Sequence, residues 1–219
     1  MSNATIEEVL TRTRRNALLV GGCLDGLRSL PDGCVQACVT SPPYLGLRDY
    51  GVDGQIGQET SPAAFVEALV TVFREVRRVL ADDGTLWLNL GDSYAANRTD
   101  QVPSTKGGAK HAPAQGNSGA MTVPEGLKAK DIMGVPWRVA LALQADGWWL
   151  RSDIIWSKPN PMPESVTDRP TRAHEYLFLL SKRERYFYDA NAIREVAECS
   201  AVRGPALHPD RISTNGNSG

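Results

Sequence analysis

Cysteine is scarce in this chain. Its four cysteines are Cys23, Cys34, Cys38 and Cys199, and no two of them form a Cys-x-x-Cys pair. Cys34 and Cys38 stand four apart, but no second pair completes a metal site, so no metal is expected. They read as reduced thiols of a cytoplasmic protein, two of them in or near a core strand. Long hydrophobic runs are also lacking, which leaves no candidate membrane span. A charged segment followed by an apolar one is missing from the N-terminus, so no signal peptide is expected. Neither charge sign dominates: 24 Lys and Arg face 25 Asp and Glu, for a net charge of -1. No global basic field surrounds such a chain, and any nucleic-acid contact must come from local patches. There are no internal repeats. What is present is an ordinary 219-residue composition, 42% hydrophobic and 22% charged, enough for one domain with a sizeable core.

The order of elements is that of an α/β protein. Ala17 to Val20 is a short apolar run closed by Gly21-Gly22 and reads as a strand. Leu24 to Leu30 spans one or two helical turns, stopped by Pro31-Asp32-Gly33. Val35, Ala37 and Val39 alternate with their neighbours as a second strand leading into Thr40. Ser61-Pro62 opens a helix with an N-cap residue and a proline at its first position. Phe65, Leu69, Val72, Phe73, Val76, Val79 and Leu80 follow at helical spacing, and Asp82-Asp83-Gly84 is expected to end that helix. Thr85 to Leu90 has the nearly continuous apolar character of a buried parallel strand. A further helix lies within Gly134 to Gly147. Leu150 to Trp156 and Tyr176 to Leu180 read as two strands. Strands alternating with helices predict a parallel-rich sheet, with three layers expected and with Ser41 to Tyr44 at the carboxyl end of a central strand.

Residues 97–130 break this pattern. They are rich in glycine and proline and too polar to bury a core of their own. Arg98, Lys106, Lys110, Lys128 and Lys130 outnumber the acids there, which suits a mobile basic loop that orders on DNA. The chain is therefore read as one catalytic domain over residues 1–196, with that loop inside it. Residues 197–219 read as a disordered tail.

The sharpest chemical signal is Thr40-Ser41-Pro42-Pro43-Tyr44, placed directly after a predicted buried strand, where α/β folds put their ligands. Methylating an aromatic amine is difficult because the nitrogen lone pair is delocalised into the ring. Two acceptors on the two N–H bonds would favour a tetrahedral nitrogen with a localised lone pair. Ser41 offers one oxygen and the Pro42 carbonyl the other, and consecutive prolines hold that carbonyl in place beforehand. Tyr44 offers a flat face for an extruded base. The competing reading of a bare Ser-Pro-Pro-Tyr is a rigid turn. The continuation Leu45-Gly46-Leu47-Arg48-Asp49-Tyr50-Gly51 weighs against it.

Thr-Ser-Pro-Pro-Tyr followed by this continuation resembles the permuted-class amino-group DNA methyltransferases of the N4-cytosine/N6-adenine type. Asp83 to Tyr94, Leu127 to Asp131, Val135 to Ala140, Ile154 to Pro163 and His174 to Lys182 resemble successive segments of that family, in the family's order. The resemblance covers roughly residues 15–195. It implies a Rossmann-like S-adenosylmethionine-dependent methyltransferase sheet with an antiparallel edge hairpin. It also implies double-stranded DNA as partner, S-adenosylmethionine as cofactor, a flipped base and a restriction-modification setting. Ser41, Pro42, Pro43 and Tyr44 become the catalytic set. Gly22, Cys23, Thr40, Ser41 and Pro42 become the cofactor-binding set. Lys106, Lys110, Lys128, Lys130, Trp156, Lys158, Asn160, Arg169 and Arg172 are the candidate DNA contacts. Asn89 and Asp92 lie near the same sheet edge, with turn capping as their plain alternative. His174 and Glu175 are candidates for positioning DNA or closing the pocket.

Two departures from the family pattern matter. No Phe-x-Gly-x-Gly loop, which holds the methionine part of the cofactor in the family, occurs in these 219 residues. Gly22 also stands where relatives usually carry the acid associated with the cofactor's adenine. The chain is thus expected to be truncated before its cofactor loop, and a second polypeptide or a missing C-terminal segment is expected to complete the site. The leading expectation is a site-specific DNA methyltransferase, with Ser41 favouring cytosine N4 over adenine N6. The alternative is a catalytically inactive DNA-binding remnant. RNA or protein methylation is the weaker third reading.

Overall fold

A computed structural model describes residues 4–13, 15–95, 123–124, 126–161 and 163–195. Most of the expected basic loop, with Lys106 and Lys110, lies outside the described residues, as do Cys199 and the tail from residue 196. Residues 1–187 form one compact unit and residues 188–219 a second, within which Asp189 caps a turn by accepting from the Asn191 and Ala192 amides.

The first unit contains helices α1 (Ala4–Leu10), α2 (Cys23–Arg28), α3 (Pro62–Val79) and α4 (Val135–Ala145). Its strands are β1 (Val35–Thr40), β2 (Leu80–Leu90), β3 (Trp149–Ser157) and β4 (His174–Ser181). They form one sheet in the order β1-β2-β4-β3. β1 runs parallel to β2, while β4 is antiparallel to both β2 and β3. The antiparallel pair at one edge is the hairpin that the sequence predicts. The Rossmann-like α/β class stands.

α3 forms where its sequence says it should. Ser61 accepts from the Ala64 amide at 3.2 Å, Pro62 occupies the first turn, and Arg77 and Arg78 close the last. Its apolar face meets Leu86, Leu88 and Leu90 of β2 and Phe178 and Leu180 of β4 in one core, which α4 extends with Val139, Ala140 and Leu143. Because side chains alternate along a strand, Leu86, Leu88 and Leu90 serve this core, and Asn89 and Gly91 fall on the other face.

Four expectations are corrected. Ala17 to Val20 pairs with no described strand and is exposed, with Leu18 at 73% and Val20 at 79%. Apolar character marks a candidate strand, but only a ladder partner makes one. Asp82-Asp83-Gly84 does not end α3 in a simple turn. The helix stops at Val79, Leu80 already pairs with Val35, and the register then jumps to Ala37 opposite Thr85, so these residues form a bulge inside β2. The expected third layer is not found among the described elements: the face of Val39, which is 78% exposed, carries no packed helix there. β1 accordingly lies at the sheet's edge rather than its centre. No described helix is long and apolar enough to cross a membrane.

Candidate active site

Ser41 to Tyr44 leave the C-terminal end of β1. The ladder places Thr40 opposite Leu88, so the next residue, Ser41, comes beside Asn89 on the open face. Ser41 Oγ lies 3.3 Å from Asn89 Oδ1 and 3.4 Å from Tyr44 Oη. Tyr44 Oη lies 3.0 Å from Asn89 Oδ1 and 3.0 Å from Glu175 Oε2. The Asn89 Nδ2 donates to the Tyr176 carbonyl at 3.2 Å, which fixes which end of the amide faces the two hydroxyls. Lys158 Nζ donates to Glu175 Oε1. Five side chains from β1's exit loop, β2, β4 and the exit of β3 thus form one polar cluster.

Two glycines make room for it. A Cβ on Gly91 would lie 2.5 Å from Tyr44 Cε2, so only glycine just after β2 lets the ring approach the backbone this closely. Gly57 has φ +102°, and a Cβ there would lie 3.1 Å from the Tyr44 carbonyl and 3.2 Å from Pro43 Cβ. Its carbonyl accepts from the Gly46 amide at 2.7 Å and closes the loop behind the motif. Tyr44, Leu45, Leu47, Gly91, Asp92, Ser93 and Val135 line a small pocket beside the ring. Ser41 is exposed, and among the described residues no hydrogen bond engages the Pro42 carbonyl. A serine oxygen and a free carbonyl are therefore available together.

The electrostatics keep Tyr44 neutral and Glu175 charged. Burial and the neighbouring Glu175 carboxylate raise the Tyr44 phenol, against the opposing bond from Ser41. Burial pushes Glu175 upward, but the bonds from Lys158 and Tyr44 outweigh it and hold the carboxyl below its ordinary range.

The remaining candidates separate. Asp92 accepts from the Ser93 and Val135 amides, each at 3.0 Å, and its side chain is only 3% exposed. It caps the start of α4 and is met by Arg172 at 3.7 Å, so its geometry is structural. Arg169 stacks over Tyr94 at 3.8 Å and pairs with Glu164. Lys130 pairs with Asp168 at 2.5 Å, and Lys128 lies 3.9 Å from Asp131. Most candidate DNA-contacting cations thus already face an acid. Trp156 is 58% exposed and pairs with Glu175 across the hairpin, while Asn160 is exposed beyond it. His174 packs edge-on against Tyr176. No hydrogen bond or ion pair joins Gly22 or exposed Cys23 to the Ser41 cluster. Gly91 is the contributor that the sequence reading missed. The glycine between Leu90 and Asp92, opposite a motif tyrosine, was the available signal.

The DNA methylase family profile matches residues 35–203. Over 187 residues the chain is 55% identical to the type II methyltransferase M.Cfr9I of Citrobacter freundii, covering 85% of this chain and 61% of that protein. It spans about six-tenths of the length of three of the curated relatives it matches, and less of others. The fold is similar to that of a DNA modification methylase of Thermus thermophilus complexed with S-adenosyl-L-methionine. That likeness has a TM-score of 0.51 and 23% identity, over 79% of this chain and 56% of that one. It is also similar to the cytosine-N4-specific PvuII DNA methyltransferase, with a TM-score of 0.53 and 18% identity over 79% of this chain and 51% of that one.

Proposed function

The chain belongs to the DNA methylase family, and from that premise we propose that it supplies the base-modifying part of an S-adenosylmethionine-dependent enzyme. That enzyme methylates the exocyclic amine of a flipped base in double-stranded DNA, cytosine N4 in preference to adenine N6, in the cytoplasm. The observation that carries this reading is the pairing of exposed Ser41 with the unengaged Pro42 carbonyl at the C-terminal end of a parallel strand.

The two acceptors would take the two N–H bonds of the amine and hold its lone pair toward the methyl donor. Tyr44, its ring seated on Gly91, would offer its face to the extruded base. S-adenosylmethionine would supply an electrophilic methyl group on a sulfonium. The residues present suit the methyl end of that molecule: Thr40, Ser41 and Pro42, at the C-terminal end of β1, would stand beside it. They do not fit its far end, because Gly22 has no carboxylate and, among the described residues, makes no hydrogen bond to this cluster. Completion of the site by a second polypeptide or a further segment is part of the same proposal.

The test is transfer of a labelled methyl group to duplex DNA, followed by nucleoside analysis, with the chain alone and with a segment restoring the relatives' length. N4-methylcytosine is the expected product, and N6-methyladenine would overturn the base assignment. The lack of an acid at Gly22 favours a second reading, a DNA-binding remnant. Duplex binding without methyl transfer in either sample would establish that reading instead.

A further inference from the structure

An amine that has just accepted a methyl group carries one proton too many, and the cluster holds an ionised carboxylate in a hydrogen-bonded path from Ser41. We propose that Glu175 is the terminal acceptor of a proton-exit path that runs from the methylated amine through Ser41 Oγ and Tyr44 Oη. The proposal rests on the amine-methylating function above and adds a role for a residue 131 positions from Tyr44 in sequence.

The hydroxyl protons decide the direction. Ser41 and Tyr44 have one each, and two acceptors await them, Asn89 Oδ1 and Glu175 Oε2. A bond to a carboxylate is the stronger, so Tyr44 donates to Glu175. That leaves Asn89 Oδ1 for Ser41. Both serine lone pairs are then free to accept from the amine, which is the polarity the substrate needs. Asn89 is neutral and tied to Tyr176, so it orients the hydroxyls and has nowhere to pass a proton. Glu175 is the one ionisable acceptor in the cluster. Ser41 Oγ is almost equidistant from Asn89 Oδ1 and Tyr44 Oη, at 3.3 Å and 3.4 Å, so a small rotation of its O–H connects the path.

The step balances. The amine's extra proton passes to Ser41 Oγ, the serine proton to Tyr44 Oη, and the tyrosine proton to Glu175 Oε2. Serine and tyrosine end neutral, the methylamine ends neutral, and the carboxylate becomes a carboxylic acid. The positive charge lost from the sulfonium is matched by the negative charge lost from Glu175. Lys158 holds that carboxylate ionised at the start, and Glu175, 21% exposed at its side chain, returns the proton to water.

Glu175→Gln and Tyr44→Phe each break the path while keeping shape and, in the second case, the stacking ring. Each is expected to lower the single-turnover methyl-transfer rate by about 10²-fold without weakening duplex binding. The double variant should be no slower than either single one, because both cut the same path. Glu175→Gln at the parental rate, or losses that multiply in the double variant, would overturn the proposal. A second readout needs no turnover. In the chain labelled at tyrosine Cζ, with Tyr44→Phe identifying the signal, Glu175→Gln should shift Tyr44 ionisation to lower pH, and an unmoved titration would break the path. These rates are read with the chain restored to the relatives' length, and a restored parent that transfers no methyl group to duplex DNA counts against the function proposed above. The tyrosine titration then tests the Tyr44–Glu175 link of the path on its own, and an unmoved titration overturns it.

Discussion

Single residues carry most of the chemistry proposed for this chain, and their roles can be separated by substitution. Ser41→Ala removes one acceptor from the target amine and is expected to lower methyl transfer by ~10²–10³-fold, with little change in duplex affinity measured by titration. Tyr44→Ala removes the stacking face and is expected to weaken binding of an extruded base by about 1–3 kcal/mol. Gly91→Ala sets a methyl 2.5 Å from the Tyr44 ring. The ring or the strand must then give way, at about 1–3 kcal/mol in urea unfolding. Loss of methyl transfer should accompany this even though alanine touches no substrate. Ser41, Pro42 and Tyr44 were legible in the sequence because they are contiguous and follow a recognisable strand. Glu175 was legible only as a charged residue near a hairpin. Its meeting with Tyr44 depends on the register that sets Leu90 opposite Tyr176, and no local pattern encodes that.

At the level of elements, the start of α3 was readable because cap and proline agree there, while its end was placed too late. Ala17 to Val20 was misread because a strand is defined by its partner, and β2's early start was missed because the bulge hides its first pair. α4 shows how an element is tied to the site. Its cap comes from Asp92 at the far end of β2, not from its own neighbour Gly134. Asp92→Ala should therefore cost about 1–2 kcal/mol in urea unfolding, the usual range for a lost cap. The hairpin carries its own pH dependence. Glu175 titrates below its ordinary range when folded, so it contributes stability above the unfolded carboxylate pKa. That contribution fades as pH falls through the folded value. Acid unfolding followed by circular dichroism should accordingly lose part of its pH dependence in Glu175→Gln. A profile unchanged from the parent would mean that Lys158 and Tyr44 do not hold that carboxylate ionised.

For the whole molecule, the question is how much of a methyltransferase these 219 residues supply. The proposed methyl-accepting end is present, with two acceptors, a tyrosine packed on Gly91 and an ionised carboxylate. The cofactor's far end is not: Gly22 offers no acid, and no Phe-x-Gly-x-Gly loop occurs in the sequence. Tight binding of such a cofactor needs backbone brought close by glycines and acids for its polar groups. Each buried ligand group left without its partner costs on the order of 1–3 kcal/mol, so several together raise the dissociation constant by orders of magnitude. The open sheet face points the same way. Val39 on that face is 78% exposed, and Val20, outside the sheet, is 79% exposed; both are apolar surface that the proposed completing segment is expected to cover. The chain by itself is therefore expected to bind S-adenosylmethionine weakly and to transfer methyl groups slowly or not at all. Titration calorimetry with S-adenosylmethionine measures this directly. Micromolar affinity for the isolated chain would mean that the cofactor is held by residues outside the proposed set, and Gly21, Gly22 and the extended run before them would be the first place to search.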